Sequence, residues 1–180
     1  LLDILQNEKK NKYSGGIYHK TQIDLTYNSN HIEGSRLTHD QTRYIFETNT
    51  VGVENEVLNV DDVIETTNHF RCIDMIIDNA KGALTEKFIK ELHKALKTGT
   101  TDSRKDWFAV GDYKKVPNEV GGMETVLPEN VSDHIKQLLS EYSGKETKTF
   151  EDILDFGSWL PQCYALPKSL SPDFESLLLS

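Results

Sequence analysis

Residues 26–38 read Thr26-Tyr27-Asn28-Ser29-Asn30-His31-Ile32-Glu33-Gly34-Ser35-Arg36-Leu37-Thr38, and Asp40 and Gln41 follow His39. Two signals of opposite kind meet here. Gly34 is a residue at which a helix stops readily, because without a Cβ it enters the left-handed region at little cost. Thr38-His39-Asp40-Gln41 spells a capping box, in which the Thr hydroxyl and the Gln side chain each satisfy a backbone N–H that a helix start leaves open. The stretch therefore predicts one helix ending near residue 33 and a second beginning at 39, joined by a short link.

Working outward, Ile23 and Tyr27, with Asn30–His31 beyond them, place the first helix over about 20–33. The second runs over about 39–48 with Tyr44 and Ile45 on its buried side. Residues 50–59 read as a connection. Val63, Phe70, Ile73, Ile77 and Ala80 then recur at helical spacing, so a long helix over about 61–80 ends before Gly82. Phe88 or Ile89, Leu92 and Leu96 repeat the pattern over 86–97, before Gly99. The rhythm breaks over 107–126, where Val110-Gly111-Asp112-Tyr113-Lys114-Lys115-Val116-Pro117-Asn118-Glu119-Val120-Gly121-Gly122 carries β-branched residues between glycines. It reads as a hairpin flap over about 108–124. Helix resumes near Pro128 with Val131, Ile135, Leu138, Leu139 and Tyr142 on one face and stops at Gly144; Thr149 caps a further start at Phe150–Phe156. The fold class expected is all-α with one small β-hairpin flap.

Composition bounds the function. The 180 residues are 37% hydrophobic, 27% charged and 9% aromatic, as in a globular chain that needs no disulfide or metal to hold it. The net charge of −9 argues against nucleic acid as a partner, since phosphate backbones demand a basic face. No stretch approaches 18 apolar residues, so no membrane partner is expected. Cys72 and Cys163 have no metal-type spacing and point to a reducing, cytoplasmic setting. The opening residues, Leu1-Leu2-Asp3, do not resemble a secretory signal, and with no initiator Met residues are expected to be missing ahead of them. Of the 20 basic and 29 acidic side chains, only Lys168, Asp173 and Glu175 lie after residue 156, where three of the five prolines also fall. The chain thus reads as a lead (1–17), a body (18–156) and a tail (157–180) of different composition.

With these features in order, residues 18–156 resemble the Fic (filamentation induced by cAMP, or Fido) family. The carriers are Ser29 through Glu33-Gly34, matching the family's inhibitory pattern of Ser or Thr, three residues, Glu, then Gly or Asn; Leu37-Thr38 at the family distance; Leu92-His93 on a later helix; and Gly111-Asp112-Tyr113 with Val116-Pro117-Asn118 ahead of a Leu-Pro helix start. The resemblance implies a helical fold whose usual reaction moves AMP from ATP, with magnesium, to a protein hydroxyl. It implies that Ser29, Glu33 and Gly34 form an inhibitory motif in which Glu33 meets an arginine of the nucleotide site. It also implies that Tyr113, Lys114, Lys115, Val116, Pro117, Asn118, Glu119 and Val120 form a flap that docks a target protein strand to strand. On its own, Glu33 reads as an exposed helix-end acid, the flap as a structural hairpin, and Tyr113-Lys114-Lys115 as a solvated face.

The family's chemistry requires a His-Pro-Phe-x-x-Gly-Asn-Gly-Arg loop beyond the helix begun at Thr149. This sequence instead runs Phe156-Gly157-Ser158-Trp159-Leu160-Pro161-Gln162-Cys163-Tyr164. No histidine follows His134, no arginine follows Arg104, and Gly157 alone follows Gly144 among glycines. No catalytic or metal-binding residue and no cofactor is therefore assigned, and the chain is expected to be inactive in AMP transfer. An altered reading frame and a genuinely divergent end both account for residues 157–180, and the coding DNA past this point decides between them. The alternatives are a protein-binding or regulatory module that uses the flap, or a gene remnant with no function. Loss of the helices beyond the loop also predicts exposed apolar faces on 61–80 and 128–142 and hence self-association. Elsewhere, His69-x-x-Cys72 has the spacing of a shared metal pair but lacks further ligands, and His93 reads as a packing residue rather than a stand-in base. Leu177–Leu179 read as a loose apolar end.

Overall fold

The computed structural model of the chain describes residues 1–53, 57–120, 123–145 and 149. The helix start expected at Phe150–Phe156 and the tail 157–180 lie outside the described residues, as do Gly121 and Gly122. The chain divides into two compact units, Leu1–Ala83 and Leu84–Ser180. The described architecture is all-α.

The first unit holds four helices: α1 (Leu2–Asn11), α2 (Ile17–Ile32), α3 (His39–Thr48) and α4 (Val60–Asn79). Helix α1 arises in the lead, where apolar periodicity gave no sign of it. It is held instead by polar reach onto α4. Gln6 Nε2 donates to the Ile77 carbonyl at 3.1 Å, and Lys9 Nζ donates to the Asp74 carbonyl at 3.2 Å and to Asp78 Oδ2 at 2.7 Å. The turn into α2 passes close to α1: a Cβ at Gly16 would stand 2.3 Å from the Glu8 carboxylate. That carboxylate accepts the Tyr18 N–H at 2.9 Å, so an acid from α1 serves the open start of α2.

The capping box of α3 forms as the sequence predicts. Gln41 N donates to Thr38 Oγ1 at 3.1 Å, and Thr38 N donates to Gln41 Oε1 at 2.9 Å. Ile45 is buried, but Tyr44 is 44% exposed and Thr42 takes its place inside, because its hydroxyl can return to the Thr38 carbonyl at 3.1 Å. Leu37, Ile45 and Phe70 form the apolar cluster, with Phe46, Val51, Leu58 and Val63 against it. On α4, Asn59 caps the first turn, and Phe70, Ile73 and Ile77 are buried.

The contact between α2 and α4 is largely polar. Tyr18, Gln22, Thr26 and Asn30, four apart on one face of α2, meet Asp74, Phe70, His69 and Thr66 in descending order on α4, so the two helices run antiparallel. Gln22 Nε2 donates to Asp74 Oδ1 at 3.0 Å, Thr26 Oγ1 lies 2.9 Å from His69 Nδ1, and Asn30 Nδ2 donates to Thr66 Oγ1 at 2.9 Å. Each such bond adds only about 1 kcal/mol net, but a one-turn slip would strand several buried polar groups at about 1–3 kcal/mol each, so the row fixes register.

The second unit contains α5 (Glu86–Lys97) and α6 (Val131–Gly144), which pack together. Thr85 caps α5, whose Ile89, Leu92 and Leu96 are buried; Val131 and Ile135 supply the buried positions of α6. The regular hairpin expected over about 108–124 is not formed. Residues 110–118 run through turns and bends, and the only pairing among the described residues sets Glu119–Val120 (β1) against Met123–Glu124 (β2), antiparallel, two residues a side. Three features limit it. Gly111 turns the chain at φ 73°, Pro117 has no N–H to offer a ladder, and Glu119 stands directly opposite Glu124, where like charges repel. Among the described residues, no helix is long and apolar enough to cross a membrane.

Candidate functional site

The proposed inhibitory motif closes α2. Ser29, on the buried side of the helix, is 2% exposed, and its carbonyl accepts the Glu33 N–H at 3.2 Å. Glu33 is the last residue with helical backbone, at φ −77°. Gly34 follows at φ 96° with open space where a Cβ would stand, so glycine is needed there for its conformation and not for room. Glu33 is not the exposed acid that its helix-end position implied: both carboxylate oxygens are shielded from solvent.

The flap is built from its base upward. Gly111 lies directly on α5, where a Cβ would come within 2.7 Å of Lys94 Cβ and 3.3 Å of the Lys90 carbonyl. Its N–H donates to His93 Nδ1 at 3.1 Å. One residue on, the Asp112 carboxylate meets Lys90 Nζ at 2.9 Å, and the Tyr113 ring lies under the same ammonium at 3.9 Å. Lys90 also pairs with Glu86 at 3.1 Å. Burial works against the Lys90 charge, but the hydrogen bonds to Asp112 and Glu86 outweigh it and hold its pKa above the ordinary value. The hydrogen bond from Lys90 holds the Asp112 carboxyl below its usual range, and the Tyr113 hydroxyl does the same for Glu86. Gly111-Asp112-Tyr113 is thus the anchor of the flap on α5.

Lys114 corrects the reading of residues 113–115 as a solvated face. It is 3% exposed, and its Nζ donates to Asn118 Oδ1 at 2.6 Å and to Thr125 Oγ1. The Thr125 hydroxyl in turn donates to the Asn118 carbonyl at 2.8 Å, and the Thr125 N–H reaches the same oxygen at 3.2 Å. The ammonium therefore sits inside the segment and ties its two arms. Lys115, Val116, Pro117 and Glu119 remain on the outside.

Sequence reasoning placed His93 as a packing residue and missed its partner in the flap. Accepting an N–H leaves Nδ1 without a proton, so the neutral ring carries its proton on Nε2. Burial, then the nearby Lys97 charge, lowers the His93 pKa to about 4, against a weaker pull from Asp112. Burial alone lowers that of His69 to about 3, and burial pushes the Cys72 thiol up to about 12 against a small opposing pull from Arg71. His69 Nδ1 is committed to Thr26, and among the described residues no group of three or more His, Cys, Asp or Glu side chains stands together as metal ligands would. Ser29, Glu33 and Gly34 belong to the first unit and Tyr113–Val120 to the second.

No family model matches the sequence, and no curated protein matches it. Solved structures do match in fold. A Fic domain-containing signaling protein from Bacteroides thetaiotaomicron aligns with a TM-score of 0.73 at 20% identity, covering 98% of this chain and 71% of that one. A Fic family protein from Desulfovibrio desulfuricans aligns with a TM-score of 0.68 at 16% identity, covering 99% of this chain and 56% of that one. The chain therefore spans little more than half of the second structure's length. It has the fold of Fic-domain proteins.

Proposed function

We propose that this chain is a Fic-fold protein of the AMP-transferase type that does not itself catalyse, and that it acts by docking a protein segment on the outer edge of residues 115–120. One observation carries the reading: no histidine follows His134 and no arginine follows Arg104. A transfer of AMP to a hydroxyl needs a base for the proton and cations or amides for the phosphates. The residues present do not fit ATP and magnesium as the resemblance implies them. The general base and the phosphate-neutralising arginine are missing from their expected positions, and among the described residues no three or more His, Cys, Asp or Glu side chains stand together as metal ligands would.

Docking is supported by what the flap keeps: a short paired ladder, an anchor on α5, and Lys115, Val116, Pro117 and Glu119 on its outside. Added-strand recognition draws its affinity from main-chain hydrogen bonds, and the short ladder at Glu119–Val120 is the extended backbone such a strand would join. Transfer of labelled AMP to acceptor proteins tests the catalytic half, with Glu33→Gly included to lift any inhibition. Signal at background in both forms is expected, and robust transfer by either overturns the proposal. The change of composition at residue 157 favours a second reading, a gene remnant. Sequencing the coding DNA separates the two, since a His-Pro-Phe-x-x-Gly-Asn-Gly-Arg loop in a shifted frame is the result that a remnant requires.

A further inference from the structure

A two-residue ladder does not hold itself together in water. The ladder Glu119–Val120 with Met123–Glu124 is that short and sets two carboxylates face to face, yet the segment around it follows a defined course. Side chains replace the missing backbone bonds at two points. At the base, His93 accepts the Gly111 N–H at 3.1 Å from a buried position on α5, and the absence of a Cβ at residue 111 lets the backbone lie against Lys94 and the Lys90 carbonyl. Between the arms, Lys114 reaches Asn118 and Thr125 together.

Burying an ammonium is costly, and a neutral donor would satisfy either oxygen alone. A lysine is favoured where one group must supply several donors at the end of a long stem, which is the geometry here. We infer that His93 and Lys114 are positioning residues which set the edge 115–119 in place before any partner arrives, an inference that rests on the docking reading above. A strand that joins a preset edge orders only itself, so the ordering cost of the receiving segment is removed from binding. Neither residue touches the partner; each acts through the backbone it holds.

The test uses the full chain, ¹⁵N relaxation, and a fluorescent alternating Val–Thr peptide of about eight residues as a generic strand probe. In the parent, amides of 115–119 are expected to match those of α5, with order parameters near about 0.85. Lys114→Met is expected to drop them below about 0.6 while α5 keeps its value, and Lys114→Arg, which retains charge and donors, to restore them in part. His93→Ala is expected to loosen 110–113 likewise, and His93→Gln, whose carbonyl can accept, to recover it. If Lys114→Met does not fold, Thr125→Ala breaks the same tie with the lysine in place. An edge already mobile in the parent, or one left rigid by all these variants, overturns the inference.

The peptide separates this inference from the reading beneath it. Binding by the parent that weakens tenfold or more in Lys114→Met supports both. Rigidity lost in the variants with no peptide bound by any form upholds the positioning roles and defeats docking. Equal binding by parent and variants defeats the positioning roles and leaves docking intact.

Discussion

The buried row between α2 and α4 and the tie inside residues 110–125 are both polar networks, but they serve different ends. In the first, the backbone of each helix is already satisfied, and side chains that are neutral apart from the Asp74 carboxylate (Gln22, Thr26 and Asn30 against Asp74, His69 and Thr66) decide only which turn meets which. In the second, the backbone has two paired residues a side, and the charged Lys114 with the His93 acceptor must hold the segment itself. Removing a member of the row should therefore cost stability across a helix pair. Removing a member of the tie should free a short segment and leave the helices standing.

Acid should give the largest effect, through His69 in the helix row and His93 at the base of the tie. The folded pKa of His69, about 3, and of His93, about 4, both lie below the ordinary 6.5. Below pH 6.5 the unfolded chain takes up protons that the folded chain refuses. The stability from these rings is thus complete above pH 6.5 and is lost as pH falls toward 3. Each ring steepens the fall by up to about 1.4 kcal/mol per pH unit. Urea denaturation from pH 7 to 4 should show the slope, flattened in His69→Gln; stability unchanged from pH 7 to 5 would contradict the row as described.

Gly111→Ala ranks next, at about 3 kcal/mol by urea denaturation. It places an L side chain at φ 73° and sets its Cβ 2.7 Å from Lys94 Cβ. Gly34→Ala offers the control, since φ 96° is strained there too but nothing stands within 4 Å. A larger loss at Gly34 than at Gly111 would mean that the flap base does not lie on α5 as described. Thr26→Val should cost about 2 kcal/mol by thermal or chemical melts, because it keeps the shape but leaves His69 Nδ1 without its hydroxyl. The smallest effect has the opposite sign. Glu119→Lys turns a repelling cross-strand pair into an attractive one and should slow amide exchange in the ladder, a gain of about 0.2–1 kcal/mol.

These contrasts follow how well each region could be read from sequence. The capping box at Thr38–Gln41 announced α3 to the residue, because its signal is local and chemical. The long apolar period over Val63–Ile77 likewise announced α4. Helix α2 was placed, with Ile23 and Asn30 on its buried side, but Gln22, Thr26 and Ser29 face inward too and were missed, because a search for apolar periodicity passes over polar residues such as Gln22 and Thr26 whose partners lie some 40 residues away. Helix α1 escaped for the same reason, since long polar side chains dock it. In the flap, the residue types were legible and the geometry was not. Lys114 looks like a surface lysine until Asn118 and Thr125 fold back around it, and His93 looks like core until Gly111 arrives at its ring.

On the reading proposed above, this Fic-fold chain binds no nucleotide. Titrating Mg·ATP into the full chain by calorimetry, with Glu33→Gly alongside, tests it most directly. The account predicts heats of dilution alone for both proteins. Saturable binding, tighter in Glu33→Gly than in the parent, would contradict it.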